Sequence, residues 1–200
     1  MTDMKFLRTA AFPVNAPRNR DRVDRMLKVL FGILLLSALG SAQTSPKPDT
    51  WKPLKFFVGV WEGTGQGEAG DAKVEREYKF VLDGKYLQAA HRSAYAPQTK
   101  AKEAAHEDLG FFSWDKTRGH FVFRQFNSEG FTIQFLVSRI SDDGKTFVLD
   151  SEINENIPKE MRSRVTYRIL NDGEFTETYE IAEPGKDLAV YFSKHFTRKK

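Results

Sequence analysis

The sequence predicts an all-β protein, an antiparallel up-and-down barrel of about ten strands with a short N-terminal helix. Three observations carry this. From Gly59 onward, apolar and polar residues alternate with period two. The alternating stretches are separated by turn chemistry such as Asp83-Gly84, Asp143-Gly144 and Asp172-Gly173. No stretch between them has the length and periodicity of a crossover helix. Consecutive hairpins make a meander, and a meander of this many strands is best relieved of exposed edges by closing on itself. A closed sheet wider than eight strands tends to enclose a cavity. A two-sheet sandwich is the alternative architecture.

Pro53 suits the first turn of a helix carrying Leu54, Phe56 and Phe57 and ending at Gly59, placed to plug or brace one barrel end. The first strand runs from about Val60 to Gln66, and the second from Ala72 to Leu82. The third spans Tyr86–Tyr95, after which 96–106 is a polar excursion. Asp108–Trp114, His120–Phe126, Phe131–Ile140 and Thr146–Ile153 follow, then a loop with Pro158. Arg162–Leu170, Glu174–Ala182 and Leu188–Thr197 complete the set. The whole of 54–198 reads as one domain.

Before it lies a different kind of sequence. Residues 29–39 form an apolar run of eleven, preceded by Arg20, Arg22, Arg25 and Lys28 and followed by Gly40-Ser41-Ala42. The run is too short for a bilayer span, which takes about 20 residues. Its flanks match a secretory signal peptide cleaved before Gln43, so the protein is expected to be exported, periplasmic or extracellular, with no membrane span after cleavage. Met26 offers an alternative start. Residues 43–53, with Pro46 and Pro48, read as a linker.

The leader also accounts for the basic balance. Residues 1–42 hold seven of the 31 basic and three of the 27 acidic residues, which leaves 24 of each in the mature chain. A formally neutral domain gives no support for nucleic-acid binding. With no cysteine, disulfides, thiolate zinc sites and cysteine nucleophiles are excluded.

The segment Gly59-Val60-Trp61-Glu62-Gly63-Thr64-Gly65-Gln66-Gly67 puts one tryptophan and four glycines on a single strand face. That face permits either a sharp bend or close approach by something else. With Leu54-x-Phe56 before it, the segment resembles the opening signature of the nitrobindin-like, calycin-type barrels. Its G-x-W part also resembles the lipocalin and fatty-acid-binding barrels. Later stretches (Gly110–Asp115, Arg124–Phe126, Ser151-Glu152, Ala182–Gly185) are similar to secreted bacterial domains of unknown function. The nitrobindin resemblance implies haem b held by a histidine of the last strand, and in some members peroxynitrite isomerisation. Laid on Phe192, Lys194, Phe196 and Arg198, the family's last-strand pattern puts Tyr191 in the histidine slot. His195 falls on the same face as Tyr191, four residues on. Tyr191 and His195 are thus the haem-iron candidates if haem binds.

Other candidates come from the residues themselves. His91 lies mid-strand, where the side chain is either a structural hydrogen-bonding group or a ligand-facing one. His106 and His120 read as surface residues. No two histidines stand at metal-ligand spacing, so a metal site is not expected. Arg124 and Gln125 interrupt an aromatic strand on opposite faces. An inward Arg124 would hold a carboxylate head group, as the fatty-acid-binding resemblance implies, while an outward one would snorkel over apolar surface. Glu177 falls among Phe175, Tyr179 and Ile181, as a carboxylate buried against an arginine or as a strand-end charge.

No nucleophile elbow, phosphate loop or zinc-protease motif appears. The leading expectation is an exported barrel that binds a small apolar or amphipathic molecule in its lumen, with Trp61, Gly63, Gly65, His91, Arg124, Gln125, Glu177, Tyr191 and His195 as ligand-binding candidates and no cofactor. A haem protein of the nitrobindin type acting on reactive nitrogen species is the second reading. A structural or partner-binding module with a filled core is the third.

Overall fold

A computed structural model describes residues 49–97, 104–158 and 160–200. The expected leader with its expected cleavage site, and residues 43–48 of the expected linker, lie outside the described residues. Among the described residues no helix is long and apolar enough to cross a membrane.

Ten strands form a closed antiparallel barrel in which each pairs with its sequence neighbours and the last pairs with the first. They are β1 (Gly59–Gly67), β2 (Ala72–Val81), β3 (Tyr86–Tyr95), β4 (Ala105–Asp115), β5 (His120–Asn127), β6 (Thr132–Ile140), β7 (Thr146–Glu155), β8 (Arg162–Asn171), β9 (Glu174–Ala182) and β10 (Ala189–Arg198). Strand β4 starts earlier than expected. Ala105 pairs with Ala94 and His106 with Ser93, so the end of the polar excursion belongs to the sheet.

The fold also begins before the expected helix. Trp51 packs on Phe80 and Phe121 at ring distances of 5.3 and 5.2 Å, so the last residues of the expected linker are part of the domain. A 3-10 helix, Lys52–Phe57, then drops Leu54 and Phe57 into one barrel end. Each is 1% exposed, which stabilises the closed state by about 1.5–3 kcal/mol per side chain. Phe57 meets Tyr78, Phe147, Tyr167 and Phe175 at 5.2–5.5 Å and seals the end with aromatic rings.

Trp61 fixes this plug. It is fully buried, and its indole Nε1 donates to the Phe57 carbonyl at 2.7 Å. Arg198, at the end of β10, lays its guanidinium 4.1 Å over the Trp61 ring and donates to the carbonyls of Val58 (2.7 Å) and Phe56 (2.6 Å). The orphan carbonyls of the short helix are thereby capped by a cation.

The bare glycine face is filled by close approach. A Cβ on Gly63 would stand 1.8 Å from the His195 carbonyl oxygen, and one on Gly65 would stand 2.3 Å from the Phe192 ring. Strand β1 therefore lies against the backbone and Phe192 of β10, and the space it leaves is already taken. Gly63 and Gly65 serve barrel closure.

Candidate functional site

Above the aromatic plug the lumen changes character, because polar residues occupy inward positions of the alternation. On β2 the inward set is Ala72, Val74, Arg76 and Tyr78, and Arg76 is 4% exposed. On β9 the same logic buries Glu177 between Phe175 and Tyr179. Arg76 Nη1 donates to Glu177 Oε2 and lies 3.2 Å from the Tyr78 hydroxyl. Lys194, inward on β10, donates to Glu177 Oε1 at 2.7 Å. Both carboxylate oxygens of Glu177 are thus engaged by cations. Burial opposes its charge, but Arg76 and Lys194 override burial and hold the carboxyl at about 2. The Arg76 guanidinium also rides over the Phe196 ring at 5.0 Å, so the ionic layer rests on the aromatic one.

A second ionic cluster comes from β4 and the turn after β5. His106 places Nδ1 2.7 Å from Glu129 Oε1 and Nε2 3.5 Å from Asp108 Oδ2. Burial works against protonation of His106, but Asp108 and Glu129 prevail and raise its pKa. Asp108 is 6% exposed. Burial disfavours its charged form, yet His106, Arg76 and Lys194 keep its pKa below the usual carboxylate range. Its Oδ2 has no hydrogen-bond donor, since 3.5 Å lies beyond the ordinary N–H···O range.

These groups line a lumen cavity of about 290 Å³. Its mouth is aromatic, with Tyr95, Phe131, Tyr179 and Tyr191 around it, and Gln125 and Lys194 stand deeper. By share of liquid volume this is room for about ten water molecules, near the lower end of ligand pockets.

Of the residues expected from sequence, Gln125, Glu177 and Tyr191 come together here. Trp61 lies in the plug. His91 is 4% exposed in the wall, with Nε2 2.9 Å from Ser93 Oγ. Burial, then Lys194 and Arg76, push its pKa well down, so it stays neutral. Arg124 takes the outward alternative, exposed and donating to Ser113 Oγ at 3.0 Å, so no head-group arginine enters from β5. His195 also points outward, 3.7 Å from Glu174. The cause is a register shift between Val190 and Phe192. The bulge brings Tyr191 and Phe192 both to the lumen and reverses the alternation beyond them, so Tyr191 and His195 do not share a face. His106, expected at the surface, is instead at the lumen rim. Sequence reasoning missed Arg76, His106, Asp108 and Lys194.

The imidazoles do not fit a histidine-ligated haem. His106 has one ring nitrogen on Glu129 and the other facing Asp108, His91 sits in the wall against Ser93, and His195 and His120 are outside. Tyr191 is the one residue of the two haem-iron candidates that reaches the cavity. Burial and the acids Glu68 and Glu129 raise its pKa, which favours the neutral phenol over the phenolate that iron takes. Among the described residues no group of three His, Asp or Glu side chains could hold a metal ion.

A family model described as THAP4-like, heme-binding beta-barrel domain matches residues 50–198. No curated protein matches. Among solved structures, the chain is similar to the crystal structure of Rv2717c from M. tuberculosis, with a TM-score of 0.60 and 16% identity over 76% of this chain and 98% of that one. It is also similar to a de novo designed fluorescence-activating beta barrel, with a TM-score of 0.38 and 11% identity over 72% of this chain and 94% of the design. The first likeness supports the fold.

Proposed function

We propose, from the premise that this chain belongs to the THAP4-like, heme-binding β-barrel domain family, that its lumen binds a small amphipathic organic molecule. The polar end sits on the ionic layer and the apolar end between the aromatic rings of the mouth. The observation that carries this reading is the lumen cavity itself, lined by Tyr95, Tyr179 and Tyr191 together with buried charges, of which Arg76 Nε and Asp108 Oδ2 both lack a hydrogen-bond partner. An unpaired buried polar group costs about 1–3 kcal/mol, which a polar ligand group that reaches it would recover. Native mass spectrometry of the protein purified from its own source tests it. A stoichiometric small molecule that is lost on denaturation is expected. A bare mass, with no thermal shift from fatty acids, retinoids or porphyrins, would favour a filled structural barrel.

Haem is the second reading, supported by family membership and by the Tyr191 ring at the mouth. Titration with haem should then give a shifted Soret band that Tyr191→Phe abolishes and His195→Ala leaves intact. We also propose export. The support is the basic, apolar and small-residue succession of 20–42. Cell fractionation should place the protein outside the cytoplasm with Gln43 as its first residue by N-terminal sequencing, and protein confined to the cytoplasm with its leader intact would refute export.

A further inference from the structure

We infer that the lumen site selects an uncharged molecule, a compact ring whose head group both donates and accepts hydrogen bonds, and that it rejects ions of either sign. The inference rests on the lumen-binding reading above and names its ligand class.

Charge balance carries it. Among the described residues the cavity is lined by three basic side chains, Arg76, Lys194 and His106, and by three carboxylates, Asp108, Glu129 and Glu177. With His106 protonated the six charges cancel. They are also matched locally. Glu177 takes Arg76 on Oε2 and Lys194 on Oε1, the latter at 2.7 Å. His106 stands 2.7 Å from Glu129 and 3.5 Å from Asp108. An ionic ligand would enter without a counter-charge or strip one from its present partner, and a buried charge left unpaired is strongly unfavourable. The unpartnered atoms repeat the balance. Arg76 Nε is a donor and Asp108 Oδ2 an acceptor, and both are shut off from solvent. Neither sign has an open partner.

The uncharged lining is of mixed character. The hydroxyls of Tyr95, Tyr179 and Tyr191 and the amide of Gln125 can each donate and accept. Burial raises the pKa of all three tyrosines, so they stay neutral phenols. Such groups pair with an amide or a hydroxyl but cannot neutralise an ion. The rings add apolar surface, Tyr95 edge-on to Phe192 and Tyr179 edge-on to Tyr191, each pair 6.2 Å apart. The 290 Å³ volume admits a single ring with a short side chain.

Three probes share a benzyl group and differ in the head they carry: 2-phenylacetamide, phenylacetate and 2-phenylethylamine. Their affinities are measured by isothermal titration at about pH 6, below the ordinary histidine midpoint. There His106 is protonated, because Asp108 and Glu129 outweigh the burial that opposes its charge. On wild type the amide is expected to bind at least tenfold tighter than either ion. Glu177→Gln leaves Arg76 and Lys194 without their carboxylate, and the affinity of phenylacetate relative to the amide should rise at least tenfold. Lys194→Met leaves an anion in excess, and the relative affinity of the amine should rise at least tenfold instead. The inference is overturned if an ion binds wild type as tightly as the amide, if a folded variant keeps the wild-type ratios, or if no probe binds. Should Glu177→Gln fail to fold, wild type and Lys194→Met decide. A ligand-bearing native mass combined with a preference for an ion overturns this inference and leaves lumen binding standing. A bare native mass removes both.

Discussion

Glu177→Gln tests the ionic layer most sharply, because it removes the one anion shared by Arg76 and Lys194. Arg76 is 4% exposed and the Lys194 side chain 12%, so both charges stay buried without their hydrogen-bonded carboxylate. Breaking a buried pair from one side costs about 3–5 kcal/mol. A second route gives a similar figure. The Glu177 carboxyl is held at about 2 against an ordinary 4.5. At ~1.4 kcal/mol per pH unit that is about 3 kcal/mol. For a domain of the size of Asp49–Lys200, each kcal/mol moves Tm by about 2–4 °C, so a fall of about 6–20 °C is expected. The sign follows from the lowered pKa. The stabilisation is complete above 4.5 and is lost as pH falls through about 2. Urea unfolding followed by tryptophan fluorescence should show wild type well above the variant at neutral pH, with the curves converging in acid. A difference within about 1 kcal/mol at neutral pH, the range of an exposed ion pair, would refute the buried layer. So would a difference that persists undiminished below pH 2. Replacing Arg76, Glu177 and Lys194 together by apolar residues of similar size should restore most of the loss.

Gly63→Ala would drive a Cβ into the His195 carbonyl, and calorimetry should show a loss of about 1–3 kcal/mol or more. Arg198→Met removes two charge-assisted hydrogen bonds to the plug, and each is typically worth about 1.5–3 kcal/mol. Its signature is red-shifted tryptophan emission together with a lower Tm; unchanged emission would place the plug's anchor elsewhere. The two lumen histidines should titrate in opposite senses by NMR. His106, with its pKa raised by Asp108 and Glu129, stabilises the fold below its ordinary midpoint of 6.5, and that support is lost as pH rises through its higher folded value. His91, with its pKa lowered by burial, supports the fold above 6.5, and this support is lost as pH falls. Midpoints in the reverse order would contradict the assigned environments.

The barrel was legible because period-two alternation and Asp-Gly turns are local signals that closure does not override. Glu177 was legible for the same reason, as a carboxylate at an apolar parity. Arg76 carried an equal signal, since Ala72, Val74, Arg76 and Tyr78 alternate cleanly, as did Lys194 between Phe192 and Phe196. Parity alone shows that such residues point inward, but it does not say which strands bring their charges together. His106 was obscured because a polar stretch reads as a loop until its pairing with β3 is known, and Asp108 because it stood at the very start of the expected fourth strand. The inward placement of Tyr191 without His195 depends on a bulge, which reverses side-chain parity and has no distinct residue pattern in β10. Arg124 was undecidable locally, because Val122 on its side of β5 is itself buried. The glycine face announced that something approaches closely. Its occupant, Phe192, comes from the other end of the chain.

The central claim is that the lumen holds a small organic molecule above the ionic layer. Native mass spectrometry of the protein purified from its own source, repeated on Asp108→Asn, tests it most directly. The account predicts one bound small molecule on the wild type, at an occupancy that falls in the variant. A wild-type protein that carries nothing, or whose ligand is held equally well without the Asp108 carboxylate, would contradict it.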